Sequence, residues 1–165
     1  MQEPLIRKAS GGEMLRLWGY DSLDGASPTA RYFYLQISSG NAVFLTADMN
    51  GQLIGELYIF FDLDDRDFAD GTNTAYLCAF RVQEEYRGRG IGSRLMDAAL
   101  AGLRALGFRR ATIGVGFDEE RNIEMYRRMG FEEKIKDCFA DPCAMDEHMR
   151  PMPDEGFMLL AKELR

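Results

Sequence analysis

Ala75-Tyr-Leu-Cys-Ala-Phe-Arg-Val82, followed by Gln83-Glu-Glu-Tyr86 and then Arg87-Gly-Arg-Gly-Ile-Gly92, is the run that decides how this chain folds. The apolar, aromatic-rich segment reads as a strand and the glycines as a turn with bared backbone. From Ser93 onward the chain reads as a helix, because Ile91, Leu95, Ala99, Leu103 and Leu106 recur at helical spacing. A strand, a glycine loop and a helix start, in that order, make an anion site. The first amides of a helix have no partner inside it and lie at the positive end of its dipole, so a loop without side chains leaves them open to a phosphate or diphosphate.

The spacing narrows the ligand. A dinucleotide fingerprint counted from Gly88 and Gly90 would need a third glycine where Ser93 stands, and no Gly-Lys-Ser or Gly-Lys-Thr of a P-loop occurs. What remains, Arg-x-x-Gly-x-Gly at Arg87, Gly90 and Gly92, resembles the acetyl-CoA pyrophosphate loop of the GNAT superfamily of N-acetyltransferases. Taken alone, the loop is also readable as a strand-to-helix turn with no ligand. A second motif, Met125-Tyr-Arg-Arg-Met-Gly-Phe131, is similar to the Leu-Tyr-x-x-x-Gly-Phe signature that ends the fourth helix of that family, and follows at the right distance. Together the two motifs cover residues 75–131.

Outward from this centre the elements follow from local chemistry. Residues 5–8 form a short strand candidate, residues 13–18 a helix stopped by Gly19, and Ser27-Pro28 an N-cap with proline at the first helical position for a second helix through residues 31–37, ending near Gly40. Residues 42–47 and 53–61 flank Asn50-Gly51, a strong hairpin signal. After an acidic loop at 62–73 and the glycine unit come a strand at 110–115, a helix through 119–129, a strand at 131–139, a long loop at 140–156 and a last strand at 157–162. No repeat or linker divides the chain, which reads as one α/β domain, 1–165. The resemblance implies the same order, in a GNAT-like, mixed and mostly antiparallel central sheet of about six to seven strands flanked by about four helices.

Composition sets bounds. With 165 residues, 46% hydrophobic and 28% charged, the chain has enough material for a full core without disulfides or metal. A net charge of -7 argues against nucleic acid, whose binders carry a surplus of Lys and Arg on one face. The longest apolar run, residues 57–61, is far short of a membrane span, and residues 1–8 lack the apolar centre of a signal peptide. The expectation is a cytoplasmic protein with no membrane partner and three reduced cysteines, Cys78, Cys138 and Cys143.

The resemblance also implies roles. Acetyl-CoA is the implied co-substrate, its diphosphate held by backbone amides across Arg87, Gly88, Arg89, Gly90, Ile91, Gly92 and Ser93, and its pantetheine amides paired with the open edge of the strand ending Phe80-Arg-Val82. Phe80 and Val82 thus join the cofactor-binding set. Tyr126 takes the position of the general acid that protonates the leaving thiolate; as a bare residue it is equally readable as a packed aromatic on an amphipathic helix. Seven residues before Tyr126, where the family commonly has a cofactor-contacting asparagine, this chain has Glu119. Asn122, three positions on, lies on a neighbouring part of the same helix face and is the substitute candidate, or else a helix-start residue.

No general base is legible. Residues 76–82 hold no carboxylate, leaving water or a loop acid such as Asp141, Asp146 or Glu147. Cys78 reads as a small core residue rather than a nucleophile. Cys138, Cys143 and His148 match no common zinc spacing, so no metal is expected. The loop at 140–156 and the segment 20–25 are the expected walls of the acceptor pocket, where Asp21, Asp24, Asp141, Asp146 and Glu147 favour a cationic amine. The partner is thus an amine substrate. A homodimer through an exposed final strand is a further expectation, and a catalytically silent acyl-CoA-binding module is the competing function.

Overall fold

A computed structural model describes residues 2–165. Its elements follow the predicted order: β1 (Leu5–Ala9), α1 (Gly11–Leu17), α2 (Pro28–Ser39), β2 (Ala42–Met49), β3 (Gln52–Phe60), β4 (Thr74–Val82), α3 (Ile91–Ala105), β5 (Arg110–Gly116), α4 (Glu120–Arg128), β6 (Glu133–Met145) and β7 (Pro151–Glu163). The strands make one seven-stranded sheet in the order β1-β2-β3-β4-β5-β7-β6. Every neighbouring pair is antiparallel except β4 and β5.

Local chemistry accounts for the ends of these elements. Ser10 and Glu13 form a reciprocal capping box at the start of α1, and Ser27 Oγ accepts from the Ala30 amide at 3.1 Å, with Pro28 in the first turn of α2. Asn50 and Gly51 both take positive φ (54° and 93°), as a two-residue hairpin whose twist matches its strands requires.

The two-residue alternation of the strands loads both faces of the sheet. Leu45, Leu57, Ile59 and Leu77 face Ile91, Leu95, Met96 and Leu103 of α3, with Tyr126 and Phe131 in the same cluster. Phe44, Tyr58, Phe60 and Tyr76 face the other way, against Met14 and Leu15 of α1 and Phe33 of α2. The sheet is therefore a filled middle layer, and burial of these apolar faces drives its assembly.

Two features of the sheet open a site. β4 and β5 pair only from Thr74↔Arg110 to Leu77↔Ile113; past that point β5 continues along β7 and β4 along β3, so the two parallel strands separate. In the separated half β4 carries a bulge. Its register jumps from Tyr58↔Cys78 to Glu56↔Arg81, and Ala79 sits at φ 49°.

Two sequence expectations are corrected. Residues 140–156 are mostly strand rather than loop: Ala140 pairs with Pro153 and Asp141 with Met152, leaving a short turn after Met145. The prolines that suggested a loop are tolerated because β6 is an edge strand with three register shifts, and because β5 pairs with β7 only from Phe157 onward, leaving one side of β7 open near Pro151 and Pro153. The last strand is also not exposed. β7 inserts between β5 and β6, which makes β6 the edge.

Candidate active site

The glycine loop is built as a cradle. Arg87 Nε donates to Val82 O at 3.0 Å, pinning the loop to the end of β4, while Gly88 and Gly90 adopt φ 78° and 81°. Gly90 is the N-cap of α3 and supplies no side-chain cap; the first amide to bond back is that of Arg94, to Gly90 O at 3.1 Å. The amides of Ile91, Gly92 and Ser93 are thus left to an external partner. A Cβ placed on Gly88 or Gly90 would meet nothing within 4 Å, so the bared backbone faces open space. That space is a cavity of about 670 Å³ bordered by the loop, the end of β4 and one face of α4. A diphosphate suits it: donor amides, a helix dipole and no competing acidic side chain on its rim.

All but one of the sequence-predicted site residues meet here. Phe80, Val82, Arg87, Gly88, Gly90, Ile91, Gly92, Ser93, Asn122 and Tyr126 border the cradle. Arg89 does not: its guanidinium lies over the Tyr86 ring, 5.3 Å from the centroid. Asn122 stands four residues before Tyr126 on the same face of α4, whereas the Glu119 carboxylate turns back to accept from the Gly116 amide at 3.0 Å. The residue bordering the cradle is therefore Asn122, one helical step along from the usual position.

Tyr126 joins this cradle to a second cavity. The gap between the separated halves of β4 and β5 holds about 520 Å³, and Phe80 and Tyr126 border both spaces. The Tyr126 ring is buried at 8% exposure, packs against Phe80 with centroids 6.5 Å apart, and meets Phe131 edge-on at 6.3 Å. Burial, and secondarily the Glu119 charge, push its hydroxyl up to about 12, so it keeps its proton at neutral pH. No hydrogen bond to another described residue occupies that hydroxyl, which opens to the cavities.

The sequence pattern of the Acetyltransferase (GNAT) family matches residues 13–131, well over half of the chain. The chain belongs to this family. The family so matched is one of acetyltransferases. Over 103 residues it is 29% identical to an uncharacterized N-acetyltransferase of Methanocaldococcus jannaschii, a match covering 62% of this chain and 45% of that protein, so the chain spans less than half of that relative's length. It is 26% identical over 121 residues to an L-methionine sulfoximine/L-methionine sulfone acetyltransferase of Pseudomonas aeruginosa, covering 73% of this chain and 67% of the relative. In fold it resembles a GNAT family acetyltransferase of Elizabethkingia anophelis crystallised with acetyl-CoA bound, at TM-score 0.66 and 18% identity over 99% of this chain and 100% of the other.

Beyond the gap lies a third cavity of about 580 Å³, reached past Cys78, Ala79 and Asp141, which border both. Its walls are Leu17 at the end of α1, Trp18 and Tyr20 just after it, Thr29 and Phe33 of α2, and Glu56 and Arg81. Of the acidic residues expected here, only Asp141 arrives; it accepts from the Cys143 amide at 2.9 Å. Asp21, Asp24 and Glu147 border none of the three cavities, and Asp146 folds back to accept from the His148 and Arg150 amides, which hold its carboxyl below the usual range.

Glu56 was not foreseen. Its Oε1 accepts from Trp18 Nε1 at 2.9 Å, the Tyr58 hydroxyl at 2.9 Å and Arg81 at 3.3 Å. The signal was present as the single carboxylate inside the otherwise apolar run at 53–61. Two of the thiols are held in the neutral form: burial pushes Cys138 up to about 11, and burial together with the neighbouring Cys78 raises Cys143. Cys138, Cys143 and His148 do not gather, and no group of three or more metal-ligating side chains exists among the described residues. Among those residues, no helix is long and apolar enough to cross a membrane.

Proposed function

We propose that this chain, acting as a single domain, moves an acetyl group from acetyl-CoA to a primary amine, by direct transfer with both substrates bound and with Tyr126 as general acid. The observation that carries the reading is the position of Tyr126, buried on its ring and open at its hydroxyl, where the glycine cradle meets the gap between β4 and β5.

The amides of the loop from Arg87 to Ser93 hold the diphosphate, assisted by Asn122, and the unpaired half of β4 past Leu77 aligns the pantetheine. Acetyl-CoA supplies an activated thioester. As the amine nitrogen bonds to the acetyl carbon and the carbon–sulfur bond breaks, Tyr126 gives its proton to the departing sulfur. Asp141 borders both the gap and the third cavity, which supports it as the acceptor of the amine's proton, directly or through water. The acetyl-accepting amine enters through the third cavity. Small amine-bearing metabolites lead the candidates, since one relative is named for acetylating amino acid derivatives and the cavity rim is mixed in charge.

The test is to incubate the purified chain with acetyl-CoA and a panel of primary amines while following free thiol, beside the Tyr126→Phe variant. Turnover lost in the variant with acetyl-CoA binding intact supports the reading; binding without turnover of any amine supports a silent acyl-CoA-binding module instead.

A further inference from the structure

Resting on that reading, we propose that the third cavity selects an acceptor bearing a carboxylate beside its amine, an α-amino acid with an apolar or aromatic side chain, and that Arg81 is the residue that takes the carboxylate.

The lining of the cavity brings together three chemistries. Asp141 sits at the end shared with the donor side, where the attacking nitrogen must arrive. Trp18, Tyr20 and Phe33 supply an aromatic wall. Arg81 is the one cation on the rim among the described residues, and it follows directly from the bulge that lifts Ala79 out of register. A ligand that satisfies all three carries an amine, an apolar body and an anion.

The guanidinium is ion-paired with Glu56 at one edge, and its other donors are not taken up by side chains of the described residues. Its single side-chain hydrogen bond among the described residues is the long 3.3 Å contact to Glu56, and its side chain is 57% exposed. It lies over the Trp18 ring, 5.6 Å from the centroid, which orients its plane while leaving donors of the fork free. Glu56 in turn is held by the Trp18 indole and the Tyr58 hydroxyl, so it is a positioning residue: it fixes both the aromatic wall and the cation. A carboxylate is the planar partner that an arginine fork meets in two bonds at once.

The experiment compares, at one pH near 8, acetylation of L-phenylalanine and L-methionine with that of their amides and of phenethylamine, in the wild type and in Arg81→Gln and Arg81→Lys. The amides have the less basic amines, so chemistry without recognition favours them. The inference predicts kcat/KM at least tenfold higher for the acids in the wild type. In Arg81→Gln that ratio falls below one through KM for the acid, amide turnover stays within about twofold, and Arg81→Lys keeps part of the preference. Amides or phenethylamine turned over as well as the acids in the wild type overturn it, as does a preference that survives Arg81→Gln. Acetyl-CoA binding is measured alongside. If acetyl-CoA binds and none of these acids is acetylated, this inference alone fails; if acetyl-CoA does not bind, the underlying reading fails with it.

Discussion

The Phe80 and Tyr126 rings lie nearly parallel, 28° between planes and 6.5 Å between centroids, one from the free end of β4 and one from α4. The pair ties the half of β4 that parts from β5 to the helix that carries Tyr126, and both rings border the glycine cradle and the gap beyond it.

Tyr126→Phe removes only the hydroxyl and keeps that packing. The expected result is a fall in kcat of about 10²- to 10⁴-fold, the usual range for a general acid, with the dissociation constant for acetyl-CoA within about twofold of wild type. Steady-state kinetics beside calorimetry checks both.

The pH profile follows from the same residue. Because its pKa is raised to about 12, Tyr126 stays protonated as pH rises, and its loss does not produce an alkaline limb below that value. Between pH 6 and 10 the kcat/KM of the wild type is expected to rise with the neutral fraction of the acceptor amine and then level. A decline centred well below pH 11 that vanishes in Tyr126→Phe contradicts the assigned protonation state.

Gly90→Val places a β-branched residue at φ 81°, a conformation costing about 1–2 kcal/mol for a residue with a Cβ. Chain relaxation there moves the amides of Ile91, Gly92 and Ser93. The expected outcome is acetyl-CoA binding weakened more than tenfold, with a loss of thermal stability of a few degrees, read by titration calorimetry and thermal melting.

Asn122 and Glu119 make a contrasting pair. Asn122→Ala is expected to raise KM for acetyl-CoA severalfold, whereas Glu119→Gln, whose side chain still accepts from Gly116, leaves it within about twofold. Equal effects contradict the assignment of the cofactor contact to Asn122.

Glu13 predicts an acid-stability effect away from the site. Its hydrogen bonds with Arg7, first, and with the Ser10 amide hold its pKa down to about 2. A depressed carboxylate stabilises the fold above its unfolded value, here 4.5, and that contribution disappears as pH falls through the folded value. Glu13→Ala therefore lowers stability by about 1–2 kcal/mol at pH 7, and the gap from wild type closes between about pH 4.5 and pH 2. Chemical denaturation across that window tests it.

What was legible in the sequence was what local chemistry decides. The glycine loop, the Asn50-Gly51 hairpin, the Ser27-Pro28 cap and the Tyr126 motif each declare themselves within a few residues, and together they led to the element order and to most of the donor cradle. Strand neighbours were not legible, because the last strand's place between β5 and β6 is a long-range choice. Nor was the continuation of β6 and β7 past their prolines, since tolerance of Pro142 and Pro153 depends on which strand sides stay open. Glu56, Trp18 and Arg81 come from three separate elements, so their network exists only in three dimensions. Arg89 was read as a backbone-amide contributor to the loop, and its side chain turns aside to lie over the Tyr86 ring.

The central claim is that bared backbone nitrogens at Gly88 to Ser93 grip the diphosphate of coenzyme A. Titration calorimetry of the wild-type chain with acetyl-CoA and with S-acetylpantetheine, which keeps the thioester arm and lacks the diphosphate, isolates that grip. The account predicts binding of acetyl-CoA with an affinity at least a hundredfold above that of the truncated compound. Equal affinities, or no heat from acetyl-CoA at millimolar concentration, contradict it.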